Sequence, residues 1–339
     1  MKKIRLIATG GTIACMPTER GLAPTLNAQA LLEYINADTQ SIDTIDLFSM
    51  DSSNIQPEEW REIAAEVAKS IPDYDGIVIT HGTDTMAYTA SMLGFMLVGI
   101  SIPVLLTGAQ HPIAYPDSDG RKNLQNAITA AREMQNCGVF LCFGSGIMRG
   151  CRAVKTRTTS FDAFESINHP YVGAVANGRY YPFTLPDSPK PLDYFDDIDP
   201  RVALIKLIPG TSTQLIENIL TCNIKGVVVE AFGLGGVHNI RRDHAESLKK
   251  LINNGIPVIL TSQCLYEASS TEAYEISKPL RDAGVISAYD MTTEAAVTKL
   301  MYALGKTRDL EGVRVVMHTN LCGEVSCQLP ELIKYCHKQ

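Results

Sequence analysis

The chain has 339 residues, 45% of them hydrophobic and 20% charged, the balance of a soluble globular enzyme with room for about two domains. Its formal charge of −7 and isoelectric point near 5.5 argue against a phosphate backbone or an anionic membrane as the main partner. The nine cysteines, an odd number with no CxxC pair, fit free thiols in a reducing compartment rather than a disulfide framework; Cys322, Cys327, Cys336 and His337 match no zinc-ligand spacing.

The opening stretch, MKKIRLIATGGTIAC, has the basic residues of a leader without its centre. Leu6-Ile7-Ala8 runs at once into Thr9-Gly10-Gly11-Thr12, far short of the roughly 7–15 apolar residues a signal peptide needs. Residues 4–8 and 42–48 read as strands. From Pro57 to Ser70, Trp60, Ile63, Ala64 and Val67 recur at the spacing of one helix face, with Pro57 suited to the first turn. Residues 76–80 form a third apolar run. Thr85 to Pro116 contains no Asp, Glu, Lys or Arg and by length could span a bilayer. Gly94, Gly99, Pro103 and Gly108 instead divide it into a helix end, a turn and a strand over 103–107, which predicts a buried helix followed by a parallel strand. A helix over 120–134 and a strand over 138–143 follow.

The alternation stops at PFTLPDSPKPLDYFDDIDP, whose five prolines and five aspartates predict an interdomain linker over 182–201. Beyond it come strands at 202–208, 226–231 and 257–262 and helices at 211–220, 243–253 and 292–304. The expected fold is α/β: a larger N-terminal domain, residues 1–181, with a mostly parallel sheet flanked by helices, joined to a smaller C-terminal α/β domain, residues 202–339.

In an open parallel sheet, ligands bind beyond the carboxyl ends of the strands. Here those ends carry Thr9-Gly10-Gly11-Thr12, Met50-Asp51-Ser52-Ser53-Asn54, His81-Gly82-Thr83-Asp84 and Gly108-Ala109-Gln110, and the strand near 139–143 leads toward Lys155. TGGT lacks the GxGxxG spacing of a dinucleotide loop, and the chain contains no GxxxxGK[ST] phosphate loop. Bland readings exist: Thr83 and Asp84 as caps of the helix that starts there, Lys155 as a solvated cation, His81 as a partner for nearby backbone. Chemistry favours a sharper one. A threonine hydroxyl is a poor nucleophile until a neighbour takes its proton; a lysine can take it, and a carboxylate can hold that lysine. Thr83, Asp84 and Lys155 supply those parts, and Gly10 and Gly11 let Thr12 approach a substrate closely. The turns at Gly11 and Gly82, with Ala109 nearby, could offer N–H donors to a carbonyl oxygen gaining charge.

ATGGTIA (8–14) and THGTDTMAYT (80–89), supported by DSSNIQPEEW (51–60), GCRAVKTRTTSFDAFESIN (150–168) and DMTTEAAVTKL (290–300), resemble the bacterial L-asparaginase family, in its cytoplasmic type I branch, over all but the C-terminal tail. The resemblance implies hydrolysis of L-asparagine to L-aspartate and ammonia in the cytoplasm, without metal or organic cofactor. It implies a homodimer or homotetramer, with no nucleic-acid or membrane partner. It makes Thr12 the nucleophile and Thr83, Asp84 and Lys155 a second triad, in which Lys155 accepts a proton and Asp84 also holds the substrate α-ammonium. Asp51, Ser52 and Ser53 would bind the α-amino and α-carboxylate groups. Whether Thr12 always acts covalently or Thr83 activates a water stays open at this level.

Two positions depart from the family pattern. Leu22 stands where many members place a tyrosine that assists the nucleophile. Near Ser262 and Cys264, Glu230 stands where a regulatory site would carry an arginine, so regulation is not expected. Two other readings share the motifs. One is the ammonia-generating subunit of a tRNA-dependent amidotransferase, which normally carries an added N-terminal domain, whereas here the first strand begins at Ile4. The other is a non-catalytic amino-acid sensor, which would need no threonine–lysine pairing.

Overall fold

A computed structural model describes residues 2–19, 21–186, 188, 190–270 and 278–326. Cys327, Cys336 and His337 lie outside the described residues. The chain divides into two compact units, Met1–Asp196 and Asp197–Gln339.

The first unit is built on an eight-stranded sheet. Its strands in chain order are β1 (Ile4–Gly10), β2 (Ile42–Met50), β3 (Gly76–Thr80), β4 (Pro103–Thr107), β5 (Gly138–Phe143), β6 (Gly146–Arg149), β7 (Gly173–Ala176) and β8 (Arg179–Pro182). Their lateral order is β8-β7-β6-β5-β4-β3-β1-β2. β2, β1, β3, β4 and β5 pair in parallel, and β5 through β8 continue the sheet antiparallel. Every residue of β3 and β4 is buried, as a central strand covered on both faces requires. The chain passes from β1 outward to β2 and then returns to β3 on the other side of β1. That reversal makes the gap between β1 and β3 the topological switch point, where such sheets bind ligands.

Helices α1 (Pro57–Ser70), α2 (Met86–Met96) and α3 (Gly120–Glu133) flank the sheet. α1 turns Trp60, Ile63, Ala64 and Val67 inward, as its periodicity predicts. α3 sets Leu124, Ala127 and Ile128 against Leu6, Val78, Leu105 and Phe140 of the strands. α2 is buried along nearly its whole length, which accounts for the charge-free stretch without a membrane span. Among the described residues no helix is long and apolar enough to cross a membrane. The proline-rich stretch is not wholly structureless: Asp193–Tyr194 pairs antiparallel with Leu97–Val98, and the Phe195 N–H donates to the Met96 carbonyl at 2.9 Å.

The second unit has four parallel strands, β9 (Val202–Lys206), β10 (Gly226–Ala231), β11 (Val258–Ser262) and β12 (Ile286–Ser287), in sequential order. Helices α4 (His244–Asn253), α5 (Thr293–Lys306) and α6 (Leu310–His318) belong to it. The helix expected over 211–220 is instead a short α-helical piece, Thr213–Glu217, followed by a 3-10 turn, Asn218–Thr221.

Candidate active site

The switch point is closed by glycines pressed against backbone. Gly10 and Gly11 take φ of +99° and +78°, a region that side chains strain to reach. A β-carbon on Gly11 would lie 2.3 Å from the Gly82 nitrogen, and one on Gly82 would lie 2.6 Å from Ser52 Oγ. The Gly11 N–H donates to the Met50 carbonyl at 2.8 Å. The ends of β1, β2 and β3 are thereby drawn into one cluster. Thr12 follows Gly11 directly and opens a single 3-10 turn, Thr12–Ala14. It is half-buried, and its hydroxyl makes no protein hydrogen bond among the described residues.

Lys155 ends a short strand, Ala153–Lys155, that pairs antiparallel with Phe164–Ser166. Its Nζ donates to Thr83 Oγ1 at 2.8 Å and to Asp84 Oδ1 at 2.6 Å. The lysine side chain is only 17% exposed, while that of Asp84 is 62% exposed. Lys155 is therefore a held cation and not a solvated one. The Thr83 hydroxyl donates in turn to Gln110 Oε1 at 3.3 Å, and Gln110 Nε2 donates to the carbonyls of Thr158 and Ser160 at 2.9 and 3.1 Å. Sequence reasoning noted Gln110 at its strand end but gave it no role; its position on the same sheet edge as Thr83 was the available signal.

One reading needs correction. Thr83 and Asp84 do not cap α2, which starts at Met86 behind Thr85 with no side-chain cap bond. Their side chains are committed to Lys155 and Gln110. Ser52 is buried between two exposed neighbours, Asp51 and Ser53. It is 2% exposed, its Oγ accepts from the Asp84 N–H at 3.2 Å, and its carbonyl accepts from Thr85 Oγ1 at 2.7 Å, so it fastens the β2 end to the β3 end. Ala109, just beyond the end of β4, is fully buried.

Asp51 and Ser53 remain on the exposed rim. Asp51 Oδ1 accepts from the Ser53 hydroxyl at 2.5 Å and from the Ser53 N–H at 2.9 Å. Those two bonds, the hydroxyl's first, together with the charge of Lys155, hold the Asp51 carboxyl below the usual range, so it is anionic at neutral pH. Behind it, Cys15 Sγ donates to the Gly11 carbonyl at 3.5 Å, and burial, with the charge of Asp51, raises its thiol. His81 serves backbone as expected, with Nδ1 2.7 Å from the Gly82 carbonyl.

Leu22 lies on a hairpin, Cys15–Thr18 with Gly21–Pro24, opposite Pro17 and 53% exposed. In the second unit, Glu230 accepts from Thr293 Oγ1 at 2.7 Å and pairs with Lys206 at 3.4 Å, while Ser262 Oγ accepts from the Cys264 N–H at 3.0 Å. These groups are engaged within their own unit.

The arrangement offers a hydroxyl bonded to a lysine, a second hydroxyl without a protein partner among the described residues, and two rim carboxylates suited to an ammonium group. Residues 3–184 match the family model for the asparaginase N-terminal domain, and residues 201–317 match that for the glutaminase/asparaginase C-terminal domain. The L-asparaginase of Thermococcus kodakarensis is 40% identical over 96% of this chain and 99% of its own, and its solved structure superposes with a TM-score of 0.91. The solved L-asparaginase I of Vibrio cholerae is 32% identical, covers 96% of this chain and 100% of its own, and has a TM-score of 0.85. A glutamyl-tRNA(Gln) amidotransferase component from Pyrococcus abyssi is 35% identical over 96% of this chain but 77% of its own. With both domain models matched in order along one chain, and the strand-end residues gathered at the switch point, the chain belongs to the asparaginase family of amidohydrolases.

Proposed function

We propose that the chain hydrolyses L-asparagine to L-aspartate and ammonia, using Thr12 as nucleophile and Thr83, Asp84 and Lys155 as a proton-handling triad. The observation that carries this reading is the position of Lys155 Nζ, within hydrogen-bond reach of Thr83 Oγ1 and Asp84 Oδ1 at once. The Thr12 hydroxyl attacks the side-chain amide carbon, an ester forms, and the amide nitrogen leaves as ammonia carrying the hydroxyl proton. Water then cleaves the ester, releasing L-aspartate and restoring Thr12.

The rim orients the substrate. Its α-ammonium lies between Asp51 and Asp84, and the Ser53 hydroxyl reaches toward its α-carboxylate. An ammonium arriving at Asp84 shares that carboxylate with Lys155. Two cations on one anion repel, which favours moving the Lys155 proton toward the reacting groups. Fixing both charged ends makes the amide attack effectively unimolecular. The reaction needs no metal or organic cofactor. We place the protein in the cytoplasm as a homodimer or homotetramer without nucleic-acid or membrane partners; its free cysteines and acidic charge support that placement.

The test is an initial-rate comparison of L-asparagine with L-glutamine over a wide concentration range, with and without tRNA and an amidotransferase partner subunit. Ammonia release from free L-asparagine alone supports the proposal. Release only when tRNA and partner are present would favour an amidotransferase subunit, and no turnover under any condition would favour a sensor.

A further inference from the structure

Trp60 is the chain's single tryptophan, and it is 6% exposed in α1. Its indole N–H donates to Thr89 Oγ1 of α2 at 2.9 Å. Thr89 Oγ1 lies 2.9 Å from His81 Nε2, and His81 Nδ1 lies 2.7 Å from the Gly82 carbonyl. The direction of this chain of bonds follows from what each group can do. An indole nitrogen only donates, so the Thr89 oxygen accepts there and its one proton is left for His81. Nε2 is then the bare nitrogen, and Nδ1 carries the hydrogen that meets the Gly82 carbonyl, which only accepts. One tautomer satisfies every member. Burial favours the neutral ring, whose pKa falls to about 4, so that tautomer persists at neutral pH.

The last acceptor is one peptide bond from Thr83. In a planar trans peptide the carbonyl and the following N–H point to opposite sides. A Gly82 carbonyl pinned toward the buried imidazole therefore turns the Thr83 N–H away from it. That N–H has no protein acceptor among the described residues. Trp60, Thr89 and His81 are buried at 6%, 0% and 0% exposure, so none of them can touch a substrate at the strand edge.

We propose that Trp60, Thr89 and His81 form a positioning relay that fixes the Gly82–Thr83 peptide, aiming the Thr83 N–H and hydroxyl at the substrate amide. The inference rests on the reading of Thr83 as part of the reactive centre. The relay supplies no proton and makes no substrate contact. Its product is the orientation of one peptide plane, and such an effect appears in kcat with KM unchanged, because substrate anchoring by Asp51 and Asp84 is untouched.

Two amide substitutions separate positioning from space filling. In His81→Asn the amide nitrogen stands where Nδ1 stood and keeps the bond to Gly82; in His81→Gln it extends to where Nε2 stood and loses that bond. The relay predicts His81→Asn within about 3-fold of native kcat and His81→Gln reduced on the order of 10²-fold, with KM little changed in both. Equal losses, or a better His81→Gln, would overturn it, since space filling favours the longer side chain.

A second pair keeps the question open if the histidine variants do not fold. Thr89→Val removes the hydroxyl and should lower kcat while shifting the emission of the single indole, and Thr89→Ser should restore both. A folded Thr89→Val enzyme with native kcat would refute the relay. Native enzyme is assayed alongside on L-asparagine. Turnover by native enzyme with the wrong variant order removes the relay alone, whereas no native turnover removes the functional reading and the relay with it.

Discussion

Gly11 and Gly82 meet backbone to backbone, so closely that a β-carbon on Gly11 would overlap the Gly82 nitrogen. This contact joins the end of β1 to the end of β3 and places Thr12 beside the turn that holds Thr83. Gly11 also has φ of +78°, which a side chain strains to adopt. Gly11→Ala should therefore push the two turns apart. The expected outcome is loss of most activity together with about 1–3 kcal/mol of stability, read by denaturant unfolding and by turnover of the folded fraction.

Asp51 gives a prediction in pH. Its carboxyl is held low first by the Ser53 hydroxyl, then by the Ser53 N–H and Lys155, and it is anionic at any pH above its lowered value. Binding of the α-ammonium should then persist as pH falls to the ordinary carboxylate value of about 4 and weaken only below it. Ser53→Ala removes the leading cause, so the rise in KM should begin at higher pH than in the native enzyme. An unchanged KM profile would remove Asp51 from ammonium binding.

His81 links acid to stability. Its folded value of about 4 lies below the ordinary 6.5. Above about pH 6.5 the ring is neutral folded or unfolded and nothing is lost; between about 6.5 and 4 only the unfolded chain gains a proton, so stability falls as pH falls. The full window corresponds to roughly 3 kcal/mol, and the step from pH 7 to pH 5 to about 2 kcal/mol. Unfolding followed by Trp60 fluorescence at those two pH values measures it. His81→Asn, which takes up no proton, should show a shallower dependence.

In the second unit, Lys299 and Glu324 form an ion pair at 2.5 Å with both side chains at 0% exposure. Lys299 also donates to the carbonyls of Met317 and Thr319, and Glu324 accepts from the N–H groups of Leu321 and Cys322. Lys299→Met would leave a buried carboxylate without its cation, at a cost of about 3–5 kcal/mol. Replacing both partners by apolar residues should recover much of that loss, which a double-mutant cycle by thermal unfolding would show.

The sequence carried the parallel strands and the site edge for one shared reason. Strands covered on both faces are continuous apolar runs, as at Gly76–Thr80, and their carboxyl ends stand out as abrupt polar turns. The antiparallel continuation was less legible. β8 is a four-residue edge strand with Tyr181 48% exposed, so its pattern resembles a loop. Within the site, residue types were readable but orientations were not. That Ser52 turns inward while Asp51 and Ser53 stay on the rim depends on a three-residue 3-10 turn. The reach of Gln110 to carbonyls at Thr158 and Ser160 depends on tertiary placement that no local pattern encodes.

The most direct test of the account is a kinetic cycle of Thr83→Val, Lys155→Met and the double variant, measured as ammonia release from L-asparagine. The 2.8 Å bond between Lys155 Nζ and Thr83 Oγ1 predicts that the two act as a unit. Each single variant should lose on the order of 10²–10⁴-fold in kcat, and the double variant little more than the worse single one. Fully multiplicative losses, or near-native turnover in either single variant, would contradict it.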